Sequence, residues 1–116
     1  MRAKCLAACL LLAPTTVLAQ GAHDGHWQAD VETTVGNCPR SGQVIVTIKN
    51  ERVVAIDAGG VEPWGYVDVT NTFMGRFTRG AEIVRANGEA KGATASGSWS
   101  SNTNYCGGRW TARKID

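Results

Sequence analysis

From residue 27 to residue 35 the chain alternates without a fault. Trp27, Ala29, Val31, Thr33 and Val35 fall on one side, and Gln28, Asp30, Glu32 and Thr34 on the other. A two-residue period marks a strand with one buried face, and an amphipathic helix cannot use it. Shorter runs repeat the pattern. Residues 43–49 put Val44, Val46 and Ile48 on one face, and 52–57 point Val54 and Ile56 inward. Between them Asn50-Glu51 reads as a two-residue hairpin turn, although Glu is a poorer turn residue than Gly. Further strands are read at 66–70, at 72–78 (interrupted by Gly75), and at 81–85, 89–93, 94–100 and 109–115. Asn87-Gly88, the strongest short hairpin signal, is expected to turn 81–85 into 89–93. Residues 58–65, with Gly59-Gly60 and Pro63-Trp64, read as a loop, and 101–104 as a polar turn. The chain holds 14 glycines and no long apolar pattern of helical period. The expectation is an all-β domain: a small antiparallel up-and-down meander or barrel of about seven to nine short strands. A two-sheet β-sandwich is the alternative. Barrels of this size range from filled to ligand-holding, and strands this short and rich in Trp point to a filled one.

The N-terminus has a different character. Met1-Arg2-Ala3-Lys4 is basic, Cys5 to Ala13 is an uncharged run rich in Leu and Ala, and Pro14 breaks it before Val17-Leu18-Ala19. These are the three regions of a secretory signal peptide, with cleavage expected before Gln20. The run is about half the length of a membrane span, so the remaining chain is expected to carry none. Leu6-Ala7-Ala8-Cys9 also fits a lipobox, which would anchor the protein by a lipid on Cys9; the apolar stretch before Cys9 is short for that. The expected organisation is therefore a signal peptide over 1–19, a flexible tail over 20–26 and one β domain over 27–116, periplasmic or secreted and monomeric. Loss of Arg2 and Lys4 leaves ten basic residues against ten acidic ones, interspersed along the chain. No basic stripe remains to bind phosphate, which argues against a nucleic-acid partner.

Cleavage also halves the cysteines, leaving Cys38 and Cys106. An even pair in an exported chain argues for one disulfide, with two free buried thiols as the alternative. The bond would close a loop of about seventy residues, which the chain-entropy model values at about 4 kcal/mol. Cys38 lies just past the first strand and Cys106 just before the last. If those strands pair antiparallel, the bridge staples first to last, and the meander closes into a barrel without exposed edges.

Several segments together resemble a known group of proteins. They are Asp24-Gly25-His26-Trp27, Gly36-Asn37-Cys38, Ser96-Gly97-Ser98-Trp99, and Cys106-Gly107-Gly108-Arg109-Trp110-Thr111-Ala112-Arg113. The chain resembles, over about residues 24 to 113, a family of small exported proteins of Gram-negative soil bacteria such as rhizobia. The resemblance implies an exported β protein with a disulfide between its two cysteines, and no established activity. This chain departs from the family pattern at Asn50-Glu51, where relatives carry Asn-Gly, and at Pro63-Trp64.

Candidate chemistry is sparse. No histidine lies beyond His26, so a Ser-His-Asp triad would have to borrow one from the N-terminus. Asp57, Glu62 and Asp68 surround Trp64 and would serve a small exported hydrolase if two of them met in a pocket. His23 and His26 are the only metal-type cluster; a chain starting at Gly21 would suit copper or nickel at His23, and one starting at Gln20 would not. There is no Cys-x-x-Cys-His, and Met74 is the only methionine after Met1, so no haem or other cofactor is expected. The four tryptophans are more informative. Trp27, Trp99 and Trp110 sit in strand patterns as core or barrel-end plugs. Trp64, beside Pro63, Gly65 and Tyr66, is the aromatic expected to be exposed. Arg109 and Arg113 alternate with Trp110 and Ala112 on the last strand, where Arg could stack on Trp. The expected site is Trp64, Tyr66, Arg109 and Trp110. The expected function is non-enzymatic: a binding or envelope-associated domain whose partner is a protein or a small ligand.

Overall fold

A computed structural model describes residues 21–116; the expected signal peptide, the lipobox-like Leu6-Ala7-Ala8-Cys9 and Gln20 lie outside the described residues. The alternating runs form eight antiparallel strands: β1 (Gly25–Val35), β2 (Ser41–Lys49), β3 (Arg52–Ile56), β4 (Glu62–Val67), β5 (Thr72–Arg79), β6 (Glu82–Lys91), β7 (Thr94–Ser101) and β8 (Gly107–Lys114). Each pairs with the next in sequence, and β8 returns to β1 to close the barrel. The sandwich alternative is not adopted. Closure pairs the sheet edges except along β3 and β4, which are registered only at Arg52 and Tyr66.

Alternation sorts the side chains. Trp27, Ile48, Val53 and Val67 form the buried core, with Val46, Phe73, Phe77, Ala95 and Ala112 packed against them. Outward positions on β6 to β8 are polar or charged: Arg85, Asn87, Glu89, Ser96, Ser98, Arg109, Thr111 and Arg113 are all exposed. Along these three strands the apolar side faces inward. Among the described residues no helix is long and apolar enough to cross a membrane.

The bridge forms where the strand order requires it. Val35 at the end of β1 pairs with Gly107 at the start of β8, and Cys38–Cys106 joins the chains just beyond, with Cα atoms 6.0 Å apart. Gly36 makes the approach possible: its φ is 91°, and a Cβ there would lie 2.6 Å from the Cys106 Cα.

Four local expectations are corrected. Asn87-Gly88 is not a turn. β6 runs straight through it, and the hairpins fall at Gly80-Ala81 and Gly92-Ala93, where Arg79 pairs with Glu82 and Lys91 with Thr94. Read as a strand, Val84, Ala86, Gly88 and Ala90 alternate inward; a Cβ on Gly88 would meet the Trp110 ring at 2.7 Å. Pro63-Trp64 is not in a loop but in β4, where Pro63 pairs with Phe77 and Trp64 with Arg76. Val53, not Val54, points inward, because the β2–β3 register shifts between Thr47 and Ile48 and turns Val54 out to 52% exposure. The segment expected as a flexible tail over 20–26 joins the barrel from Gly21 onward: β1 already begins at Gly25, and His23 is buried. The Asn50-Glu51 hairpin is present, with φ of 55° and 63°, the positive values a type I′ turn needs.

Replacing both Cys38 and Cys106 by Ser should lower unfolding stability by about 4 kcal/mol, read as an earlier midpoint in urea denaturation that reductant reproduces in the parent chain. A loss under about 1 kcal/mol would mean that the β1–β8 ladder closes the barrel unaided.

Candidate functional site

The barrel is hollow. A cavity of about 420 Å³ runs along its axis, walled almost wholly by carbon: Trp27, Ala29, Val31, Val44, Val46, Ile56, Val84, Ala86, Trp99, Trp110 and Ala112 contribute. The expected filled lumen is not formed, and the reason lies in how the indoles are held. Each inward Trp donates its Nε1–H to a main-chain carbonyl: Trp27 to His23 at 2.9 Å, Trp99 to Glu32 at 3.1 Å and Trp110 to Ser98 at 3.1 Å. These bonds draw Trp99 and Trp110 along the wall instead of across the lumen. Trp110 reaches over Gly88 and meets Phe73 edge-on, with ring centroids 5.5 Å apart. The rest of that wall is small, from Ala86, Ala90 and Ala95 to Ala112 and Ala29. Side chains of that size cannot reach the barrel axis.

The two ends of the cavity differ. The β2–β3, β4–β5 and β6–β7 turns gather at one end, together with both ends of the described chain, and Trp27, Ile48, Val67 and Ala90 there are buried. The disulfide and the β1–β2, β3–β4 and β5–β6 connections gather at the other. Val31, Val44, Val61 and Val84 are only half-buried there, and Thr33, Ser41, Gln43 and Glu82 add polar groups to the rim. That end is the mouth. It adjoins the thinnest part of the wall: β3 and β4 share a single registered pair, Arg52 with Tyr66, against six between β4 and β5.

The closed end has a floor made by residues 21–24. His23 is 5% exposed. Its amide donates to Glu51 Oε1 at 2.9 Å and its Nδ1 lies 2.8 Å from Glu51 Oε2. Asp24 completes the clasp: Oδ1 accepts from the Glu51 amide at 3.1 Å and Oδ2 from the Gly21 amide at 3.2 Å. This is the physical account of Glu at a turn position that favours Gly. A left-handed backbone costs a residue with a Cβ about 1 kcal/mol, and the Glu51 side chain offsets it by holding the floor. The β2–β3 hairpin thereby positions the plug.

The expected site residues are not brought together. Trp110 is 9% exposed and lines the lumen, whereas its neighbour Arg109 points outward from β8. Trp64, 47% exposed, stands on the outer face of β4 with Tyr66, their rings 5.6 Å apart and edge-on. The Arg–Trp stack occurs here and not on β8: the Arg76 guanidinium lies 5.0 Å from the Trp64 ring centroid. The two histidines are also apart. His26 sits on the outside of β1 with Nδ1 2.8 Å from the Asp116 carboxylate. At His23, Nδ1 and the amide, which a copper or nickel chelate would use, are both bonded to Glu51, and no group of three or more metal-type side chains occurs among the described residues. Asp57 and Glu62 lie at the mouth end and Asp68 at the opposite end, where its carboxyl is held below the usual range, first by the Thr70 hydroxyl and then by the Thr72 and Thr70 amides. None of the three lines the cavity.

Comparison with protein-family models, with curated proteins and with solved structures finds no match to this chain. What defines the molecule is its architecture: an eight-stranded antiparallel barrel, stapled first strand to last, with an apolar lumen closed at one end. The lumen has a signal in the sequence that aromatic content obscures, namely the run of inward Ala and Gly over 84–97 and at Ala112.

The Asp24 carboxyl is held below its ordinary value of 3.8 chiefly by the Asn50 amide, with those of Glu51 and Gly21 adding to it. A carboxyl whose pKa falls on folding adds stability that is complete above its unfolded pKa and lost as pH falls through the folded one. Exchange protection of the Trp27 indole N–H, which bonds the floor, should therefore hold from neutrality to about pH 4 and fall below it. Asp24→Asn should weaken protection at neutral pH and flatten the acid loss. Equal profiles for the two chains would remove Asp24 from the clasp.

Proposed function

We propose that the protein is an exported, monomeric carrier that holds one small apolar molecule in its lumen. The observation that carries this reading is the carbon-walled cavity of about 420 Å³. Ligand sites fall in the range of about 300 to 1,000 Å³, and eight strands are enough to enclose one small ligand. The energetics point the same way. An apolar wall with nothing packed against it forfeits the dispersion contacts that a close-packed interior makes. Water relieves that cost poorly, since an ordered water needs two to four polar partners and the wall offers few. An apolar guest restores contact along the wall. The volume is about fourteen waters' worth, which suits a guest of on the order of fifteen non-hydrogen atoms. The disulfide agrees with an oxidising, extracytoplasmic setting.

A second reading rests on the outer face of β4 and β5, where Trp64, Tyr66 and Met74 are gathered beside Arg76; a protein partner would use that face, and the lumen would then be incidental.

Titration with pentylbenzene, followed by tryptophan fluorescence, separates the two. Trp99 and Trp110 line the lumen, so saturable one-site binding with a shift in emission is expected. Ala86→Phe should fill the lumen and weaken binding at least tenfold, about 1.4 kcal/mol, with the β-sheet circular dichroism retained. Trp64→Ala should leave binding unchanged. Binding that Trp64→Ala abolishes and Ala86→Phe spares would move the site to the outer face.

A further inference from the structure

One buried residue lining the lumen keeps a ring nitrogen without a hydrogen-bond partner among the described residues. His23 is 5% exposed and lines the cavity at its closed end. Its Nδ1 lies 2.8 Å from Glu51 Oε2. A carboxylate only accepts, so Nδ1 is the nitrogen that carries the hydrogen, and Nε2 of the neutral ring presents a lone pair. Nε2 has no hydrogen-bond partner among the described residues, although the two main-chain polar atoms of the residue are satisfied as well as Nδ1: the amide by Glu51 and the carbonyl by the Trp27 indole. A buried acceptor without a donor costs about 1 to 3 kcal/mol. The Trp27 ring lies beside it, with ring centroids 6.4 Å apart, and has no donor to spare, since its N–H is already committed to the His23 carbonyl.

We infer that His23 Nε2 is the recognition point of the lumen, and that the guest is an apolar molecule bearing one hydroxyl, an alkylphenol or a medium-length alcohol, inserted hydroxyl first so that its O–H donates to Nε2. This rests on the carrier reading above. It makes the floor the specificity element: Glu51 fixes the tautomer, Asp24 fixes the segment, and the carbon walls take the rest of the guest. The polar rim is a poorer anchor: the Thr33 hydroxyl already donates to the Pro39 carbonyl and the Gln43 amide to Asp30, and exposed Ser41 gains little from exchanging water for a ligand. A carboxylate-headed guest is disfavoured at either end. It would bring a negative charge to a lone pair at the floor, or set it beside Glu82 at the rim.

Three ligands of nearly equal shape test this on the mature protein: para-pentylphenol, its methyl ether and pentylbenzene. The phenol is expected to bind about tenfold more tightly than the other two, about 1.4 kcal/mol, and His23→Phe should bring the three to within about twofold of one another. Imidazole nitrogen NMR of the unaltered protein gives a readout that does not depend on the variant folding. On saturation with the phenol the Nε2 resonance should move to lower frequency as the lone pair accepts a hydrogen, while the Nδ1–H bonded to Glu51 stays in place. Equal affinity for all three overturns the role of His23 and leaves the carrier reading intact. An ether as tight as the phenol overturns it as well, because Nε2 would then be donating. Failure of all three to bind overturns the carrier reading itself.

Discussion

Everything in this molecule depends on the meeting of its first and last strands. Seven consecutive hairpins make only a curled ribbon; the β1–β8 ladder turns it into a closed wall, and closure is what gives the alternating pattern an inside. It is also the contact with the longest loop to close, and so the one chain entropy opposes most. Cys38 and Cys106 sit at the end of that ladder and hold it covalently. The other ladders are local and need no such help.

Closure alone would still permit a solid core. The lumen stays open because the sequence places glycine and alanine where a filled barrel would place leucine, and because the large residues on that side are tied to backbone carbonyls. Gly88 allows the Trp110 ring against the wall, and Ser98 keeps it there. Packing is dense in the half nearest the floor, around Trp27, Ile48, Val53 and Val67, and thins toward the disulfide end. The tightest packing and the widest part of the lumen thus lie toward opposite ends of one axis.

How much of this could be read from the chain follows from which signals are local. Strand alternation is local, so β1, β2 and the barrel class were legible, and so was the staple, since two cysteines flanking the first and last strands have few other places to meet. Asn87-Gly88 misled because its turn chemistry is equally compatible with an inward glycine under an indole, and only the partner strand distinguishes the two. Val54 misled because it is the extra residue of β3 where the register against Thr47 and Ile48 shifts, which breaks the alternation there. His23 had no legible role: its burial depends on Glu51, in a hairpin far along the chain, and a polar residue near a terminus carries no mark of being a plug. The one hint was the awkward glutamate itself, at a turn position where glycine costs less.

The route of the chain through the barrel gives the molecule a polarity. Residues 21 and 116 both lie at the floor, Asp116 held there by its contact with His26, and the mouth faces the opposite way. Any chain joined at residue 21 or residue 116 therefore meets the molecule at its sealed base. A tether there would present the opening outward, like a cup held by its foot, and could be lengthened or exchanged without entering the lumen or touching its rim.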